Sequence, residues 1–559
     1  MLKAEVIKTL DSIGIKATAD VLEVPPREEF GDVAFPCFEL AKIERRNPQD
    51  IAKDVVKKIK ISKHPLILKV EARNGYVNFF FYWEKIAEIV LKRLFKRKIG
   101  VKKEKVLIEY SQPNPVHSMH VGHARGTFLG DALANIFDFL GSKTIRANYM
   151  NDVGLQVAKL VTAYMMWARG KRPKGKPDLW LWQLYVKFHE EAKTDTKLEE
   201  KAREVLRKYE IERDKRIIRI WNKVVRWCVK GFEETYKRLG IKFDIYFYES
   251  DFRDSGKDVV YDAIRKGIAF KSPEGAIVAD LEKHGLPSTV ILRSDGTGLY
   301  VTSDLGLTIH KFSEYKLDKA VWVVSSQQSL YFEQLFKILE LLEYPWVKNC
   351  YHFSFEHVSL PEGKMSSREG RAIILDEVVD SLTELAYEEV NKRNPELPRK
   401  RKMKIAEKIG IGALKYAILK IEPDDSIVFD WKQMLSFEGN TGPYLQYAHT
   451  RCLGILRKAK RWKKTFSVAK MTVYEKQLIK VLMKFQDVVE NSAKDLKPHY
   501  ICNYVYDLAT VFSNFYQNCP VLKAENEELR NFRLTLVYAT KNILKDCLNL
   551  IGIEAIEKM

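Results

Sequence analysis

The chain is poor in every feature that would mark a secreted, fibrous or membrane-spanning protein. Cysteine is scarce: there are seven in 559 residues, an odd number with no CxxC pair. That argues against a disulfide framework or a zinc ribbon and points to reduced, buried thiols in a cytoplasmic protein. No apolar run approaches the roughly 20 residues that a membrane-spanning helix requires. The first sixteen residues form an amphipathic helical pattern without the apolar core and small-residue cleavage site of a signal peptide. No internal repeat or low-complexity tract is found, which removes solenoid and fibrous architectures.

What is present is a soluble globular composition, 46% hydrophobic and 30% charged, long enough for three to five domains. Lysine and arginine exceed aspartate and glutamate by 20. Such an excess attracts polyanions. It gathers at Arg399–Lys402 and Arg457–Lys464. Charge runs of this kind are as often solvated faces as binding surfaces.

Residues 1–100 read as a small α+β unit. Helical pattern covers Leu2–Ile13 and Pro48–Ile61, a strand follows at Tyr76–Tyr82, and a basic helix at Lys85–Lys98 ends at Gly100. An apolar strand over Val106–Ser111 leads through a turn holding Pro113, Asn114 and Pro115 into a helix from about Gly122 to Gly141. Another strand covers Thr144–Met150. That succession is half of a doubly wound parallel sheet. Residues 165–240 read as a helical insertion, and Thr289–Arg293 and Leu299–Asp304 as a hairpin around a Gly-rich turn. Ala320–Ser325 and Ser329–Leu342 supply a strand and helix of the second half-sheet. From about residue 405 onward the pattern is almost wholly helical.

Two motifs carry chemistry. His120-Val121-Gly122-His123 lies at a strand-to-helix turn. A helix N-terminus offers free N–H groups to phosphate, and Gly122 permits close approach of a nucleotide. Two imidazoles can stabilise charge building on a transferring phosphoryl group. His117, His120 and His123 could instead ligate a metal, but no acid or thiol cluster accompanies them, so no metal site is assigned. Far downstream, Gly363-Lys364-Met365-Ser366-Ser367-Arg368 places a cation and small hydroxyls on a loop suited to close over a triphosphate.

In this order and context the two motifs resemble the paired signatures of class I aminoacyl-tRNA synthetases. Further stretches resemble the arginyl-tRNA synthetase family: Glu109–Asn114, Ala124–Leu133, Asn148–Asp152, Gly298–Asp304 and Leu435–Arg451. The resemblance spans essentially the whole chain. It implies three parts. Residues 1–100 are a domain contacting the outer corner of tRNA. Residues 101–435 are a Rossmann-type catalytic domain, with a helical insertion at about 165–240 and a signature-loop region at about 351–400. Residues 436–559 are an all-α anticodon-binding domain. The implied reaction is ATP-dependent formation of arginyl-adenylate, then transfer to the 2′-OH of the terminal adenosine of tRNA(Arg). ATP and Mg2+ are required, activation needs tRNA, and the protein is a cytoplasmic monomer.

By the same resemblance His120, Gly122, His123 and Lys364 bind ATP and, with Ser366 and Ser367, carry the chemistry. Tyr300 and Asp304 hold the arginine side chain, while Glu109, Asn114 and Gln328 surround its backbone. A planar guanidinium suits a carboxylate that accepts two N–H bonds. A helix cap is the alternative role for Asp304. Asn78, in Asn74–Phe79, is the expected base-reading residue, with Phe79 and Phe81 as core on the same strand. Tyr444, Tyr447 and Arg451 share a helical face that either meets tRNA or packs on the catalytic domain. Three departures from the family pattern stand out. His117 replaces a lysine upstream of the first signature histidine, which shifts the cationic role to Lys364. Ser325-Ser326-Gln327 replaces Gly-Ala-Asp before Gln328. Ser367 ends the signature loop in place of lysine. Alternative readings are another class I synthetase, a small nucleotidyltransferase, or a non-catalytic RNA-binding paralogue.

Overall fold

The computed structural model describes residues 1–96, 103–359, 373–428, 435–436 and 438–559. Lys364, Ser366, Ser367 and Arg368 lie outside the described residues. The chain forms two compact units. One holds Met1–Lys98, Ile455–Met483 and Val511–Thr540; the other holds Ile99–Gly454, Lys484–Thr510 and Lys541–Met559.

In the smaller unit three antiparallel strands, β1 (Val33–Pro36), β2 (Ile67–Arg73) and β3 (Tyr76–Phe81), order as β1-β3-β2. Helices α1 (Leu2–Asp11), α2 (Phe38–Glu44), α3 (Pro48–Lys58) and α4 (Trp83–Lys96) complete its N-terminal part. Only β3 of these strands was expected from sequence. Four-residue β1 is too short for a period-2 pattern to register, and β2 is largely exposed, with only Ile67 and Val70 buried. Phe79 and Phe81 are core, as expected. At the sheet edge the Asp32 carboxylate accepts from the Phe81 N–H and the Trp83 indole, and Lys476 and Lys480 pair with its other oxygen.

The larger unit is built on a five-stranded parallel sheet of order β11-β10-β4-β5-β6, with β4 (Lys105–Glu109), β5 (Lys143–Met150), β6 (Ile245–Tyr248), β10 (Lys319–Ser325) and β11 (Cys350–Phe355). A central strand covered on both faces needs a continuous apolar run. Val106, Leu107 and Ile108 supply it, all fully buried. Order reverses between β4 and β10, so a crevice opens at their carboxyl ends, where α/β sheets bind ligands. Helix α5 (Val121–Phe139) leaves β4 and packs against the sheet. A side chain at Gly130 would lie 2.2 Å from the Tyr110 Cβ, so only glycine lets the helix seat there.

The insertion expected at 165–240 is helical: α6 (Leu155–Ala163) leads to α7 (Pro177–Glu191), α8 (Lys197–Glu210) and α9 (Lys215–Leu239). Helix α10 (Arg253–Arg265) then precedes a small antiparallel sheet of β7 (Ala269–Lys271), β8 (Ile277–Ala279) and β9 (Thr289–Leu292). The expected hairpin is only half right. Thr289–Leu292 is a strand, but the second arm is a helix, α11 (Tyr300–Tyr315), and the turn makes a single bridge, Leu292 to Gly298. Thr302 decides the matter: its hydroxyl accepts from the Leu299 N–H and donates to the Ile291 carbonyl, capping a helix where alternation alone suggested a strand.

Helix α12 (Ser329–Leu341) follows β10, and the short parallel pair β12 (Val358–Ser359) and β13 (Ile427–Val428) lies beyond β11. Helices α13 (Leu375–Arg393) and α14 (Arg399–Leu419) pack together, and helices over Gly442–Ala459, Val473–Met483, Phe485–Lys494, His499–Asn518 and Glu527–Leu550 complete the chain. In the larger unit the final residues form a tail held by its carbonyls. Lys415 donates to Gly552 O, Gln446 to Glu554 O and His449 to Ile556 O. The basic run at 399–402 is not wholly solvated: Lys402 is buried and donates to Asn391 and the Pro395 carbonyl. Six cysteines are buried and Cys350 is half-buried, all as free thiols. Among the described residues no helix is long and apolar enough to cross a membrane.

Candidate active site

The signature histidines occupy the first turn of α5. His120 is its N-cap: the Gly122 N–H donates to His120 Nδ1 at 3.1 Å, and the His120 N–H donates to His123 Nδ1 at 3.3 Å. The rings lie 3.9 Å apart. Because both Nδ1 atoms accept, both imidazoles are neutral and carry their proton on Nε2. Burial enforces this, lowering His120 to about 4 and His123 well below its ordinary value, with His120 and His117 adding to the latter shift. His117 stands edge-on to Tyr185 with centroids 5.2 Å apart. Among the described residues no group of three His, Cys, Asp or Glu could hold a metal ion.

Arg125, one turn further along α5, is almost fully buried. Its guanidinium donates to the carbonyls of Glu356, Glu422 and Pro423. It thereby ties the histidine helix to the segments leading into β12 and β13.

At the switch point a cavity of about 470 Å³ is lined by Glu109, Gln112, Tyr149, Asn151, Tyr300, Asp304, Trp322, Val324, Gln327, Gln328, Tyr331 and Phe332. Of the residues expected around arginine, the structure brings together Glu109, Tyr300, Asp304 and Gln328. Asn114 is not among the lining residues; its backbone carbonyl accepts from Val116 and its Oδ1 is buried without a hydrogen-bond partner. Asp304 is not a helix cap, since it sits in the second turn of α11. Tyr300, half exposed, opens that helix one turn earlier on the same side.

Glu109, at the end of β4, is buried and already balanced: Lys311 Nζ lies 2.6 Å from Oε2, and Gln112 donates to Oε1. Gln112 is held in a left-handed backbone conformation (φ 47°), its N–H donating to Asn148. Strain of this kind clusters at binding sites. At the Ser325–Gln327 departure, Ser326 donates to Glu356, Ser325 lies 3.3 Å from the His357 ring, and Gln327 and Gln328 both reach the cavity wall.

Sequence reasoning missed Glu249, Asn151, Tyr149 and Tyr331. Glu249 follows β6, and Asn151 donates to its carboxylate at 3.3 Å. An acid just past the carboxyl end of a parallel strand was the available signal. Tyr331 donates to Asp304 Oδ2. Burial, reinforced by nearby carboxylates, pushes Asp304 up to about 6 and Glu249 up to about 8. A second cavity of about 650 Å³ shares Tyr300 with the first and is lined by Glu249 together with Arg203, Arg207, Arg253 and Arg293.

Glu249 therefore opposes folding when ionised. The folded protein holds this proton at pH values where the unfolded chain has lost it. Stability from this group declines as pH rises from 4.5 through about 8. Glu249→Gln is expected to raise the thermal midpoint of the protein above that window and to leave it unchanged below 4.5. Thermal unfolding across pH checks both.

The expected RNA-contacting residues lie elsewhere. Asn78 is 5% exposed, within β3 opposite Ala34 and Glu71. Tyr444, Tyr447 and Arg451 are half-buried on one side of the Gly442–Ala459 helix. Arg451 donates to the Tyr447 hydroxyl and lies 4.8 Å from its ring, and Tyr444 faces Tyr506 at 5.9 Å.

Comparison with known proteins adds three family models. Residues 85–431 match "tRNA synthetases class I (R), catalytic domain", residues 445–559 match "DALR anticodon binding domain", and residues 1–81 match "Arginyl tRNA synthetase N terminal domain". The arginine–tRNA ligase of Clostridium acetobutylicum is 37% identical, with 100% of this chain and 99% of that protein covered. Arginine–tRNA ligase 1 of Bacillus cereus is 38% identical, covering 97% and 96%. The solved structure of Thermus thermophilus arginyl-tRNA synthetase superposes with a TM-score of 0.83 at 28% identity, covering 100% of this chain and 99% of that one.

Proposed function

The chain belongs to the class I arginyl-tRNA synthetase family, and we propose on that premise that it is an arginine–tRNA ligase whose specificity resides in the cavity between β4 and β10. The arginine carboxylate attacks the α-phosphorus of ATP, which enters as its Mg2+ complex. Arginyl-adenylate forms and pyrophosphate leaves. The 2′-OH of the terminal adenosine of tRNA(Arg) then attacks the arginyl carbonyl, releasing AMP. The protein works as a monomer in the cytoplasm, with residues 1–100, 101–435 and 436–559 as its tRNA-corner, catalytic and anticodon-binding domains.

The observation that carries this reading is that Asp304 and Glu109 line one cavity whose lysine, Lys311, is committed to Glu109, with Glu249 on the wall of the adjoining cavity. Glu249 reaches the pocket through Asn151. A buried acid excess of this kind calls for a cationic ligand, and two carboxylate edges suit a planar guanidinium better than a point-charge ammonium. Gln328 and Asn114 take the arginine backbone. Glu109, paired to Lys311, serves the α-amino group through its remaining lone pairs.

At the other end, His120 and His123 present two neutral Nε2–H donors to the phosphoryl oxygens, beside the N-terminus of α5. Lys364, with Ser366 and Ser367, neutralises the leaving pyrophosphate. Asn78, Tyr444, Tyr447 and Arg451 contact tRNA.

Arginylation of tRNA(Arg) with arginine, and not with lysine, tests the reading directly. ATP–pyrophosphate exchange is expected to be dependent on added tRNA. Exchange at full rate with arginine and ATP alone would remove the tRNA requirement, and exchange with another amino acid would overturn the assignment.

A further inference from the structure

Asp304 does not meet the cavity as a bare carboxylate. Tyr331, in the first turn of α12, donates its hydroxyl to Oδ2. The hydroxyl of Tyr149, on β5, is also buried but makes no hydrogen bond, so Tyr331 is the tyrosine bonded to this carboxylate. The other groups facing Asp304 are Glu109 from β4, Lys311 from its own helix, and Glu249 after β6. Tyr300 stands one turn earlier. Two of these neighbours are carboxyl groups, and the lysine among them is committed to Glu109 at 2.6 Å.

We propose that Tyr331 is a specificity-determining positioning residue, whose hydroxyl fixes the Asp304 carboxylate for the incoming guanidinium. The proposal rests on the reading of Asp304 as the side-chain acceptor. An ionised carboxylate offers about four lone-pair sites, so one bond from Tyr331 leaves an open edge for two guanidinium N–H groups. Burial, with Asp304 beside it, holds the Tyr331 phenol well above its usual range, so it remains a donor. Burial pushes Asp304 up to about 6, and the hydrogen bond from Tyr331 is foremost among the groups that hold it down. Removing a donor therefore lets the carboxylate take its proton at higher pH. Protonated Asp304 has no charge for arginine, so affinity is lost as pH falls through its pKa.

Tyr331→Phe keeps the ring and its edge contact with Phe332, 5.3 Å away. The experiment is steady-state arginylation across pH, fitting kcat/KM for arginine and for ATP separately. In the wild type kcat/KM for arginine is expected to fall on the acid side near pH 6. In Tyr331→Phe that limb is expected to move up by roughly one pH unit. Arginine KM at neutral pH rises roughly tenfold, while kcat and the ATP KM stay within about twofold. A loss equal at every pH, or shared with ATP, makes Tyr331 merely structural and overturns the proposal, as does an unmoved profile. Asp304→Asn run alongside separates the two readings. If it loses arginine affinity while Tyr331→Phe leaves the limb in place, only the clamp falls. If it keeps its arginine KM, the assignment of the pocket falls with it.

Discussion

Asp304→Asn is expected to raise the arginine KM at least about thirtyfold, with the ATP KM little changed, because removing one partner of a buried charge pair costs roughly 2–5 kcal/mol. The carboxamide keeps the shape and can still accept from Tyr331, but it cannot balance a guanidinium. The same substitution should stabilise the empty protein. Burial raises Asp304 from 3.8 to about 6, so its ionised form opposes folding. That cost is absent below 3.8, grows across the interval, and is fully present above about 6. A variant that melts higher above pH 6 yet binds arginine far more weakly is the signature of a carboxylate kept for its ligand. Arginylation kinetics with thermal unfolding at several pH values read both effects. A variant with an unchanged arginine KM would remove Asp304 as the side-chain acceptor and overturn the assignment of the pocket.

His120→Ala is expected to slow adenylate formation on the order of a hundredfold, about 3 kcal/mol, with arginine affinity little changed. The hydrogen-bond pattern defines what is lost. With Nδ1 of each ring accepting a backbone N–H, each imidazole has one proton to give, on Nε2. His120 is then a neutral donor to developing phosphoryl charge, not an acid that transfers its proton. Above its pKa of about 4 the activation rate is expected to show no titration from this residue. His120→Asn, which retains a neutral N–H donor, should keep more activity than His120→Ala. Single-turnover adenylate formation in the presence of tRNA measures it, with circular dichroism to check the fold, since the substitution also removes the N-cap of α5. If the asparagine and alanine variants are equally slow, the ring itself and not its N–H is what the transition state uses.

Much of the fold was legible because it is written locally. The Val106–Ile108 run, the helical period of α5 and the strand at Lys143–Met150 each declare themselves within a short window. The hairpin read at Leu299–Asp304 failed for the complementary reason. Whether Thr302 caps a helix depends on the Ile291 carbonyl, eleven residues upstream and reached only after folding. Strand β1 escaped because four residues carry too little pattern, and its pairing with β3 is set by a partner 40 to 46 positions away.

The site divides along the same line. The sequence by itself determined the reactive vocabulary: two histidines at a strand-to-helix turn, a lysine-bearing loop, and a tyrosine and an aspartate one helical turn apart. These spacings act within a single element, and chain geometry carries them wherever the element goes. Tertiary structure alone decided which acids share a pocket and in what charge state. Glu109 closes β4, Glu249 follows β6, Asp304 lies on α11 and Tyr331 on α12. Glu109, Asp304 and Tyr331 line one cavity, and Glu249 the adjoining one, because parallel strands and the helices that follow them end on one side of a sheet. The pairing of Glu109 with Lys311, and the raised proton affinities of Asp304 and Glu249, follow from burial and from neighbours distant in sequence. The free energy of a charge depends on the water removed and on the partner supplied, and only the folded chain fixes both.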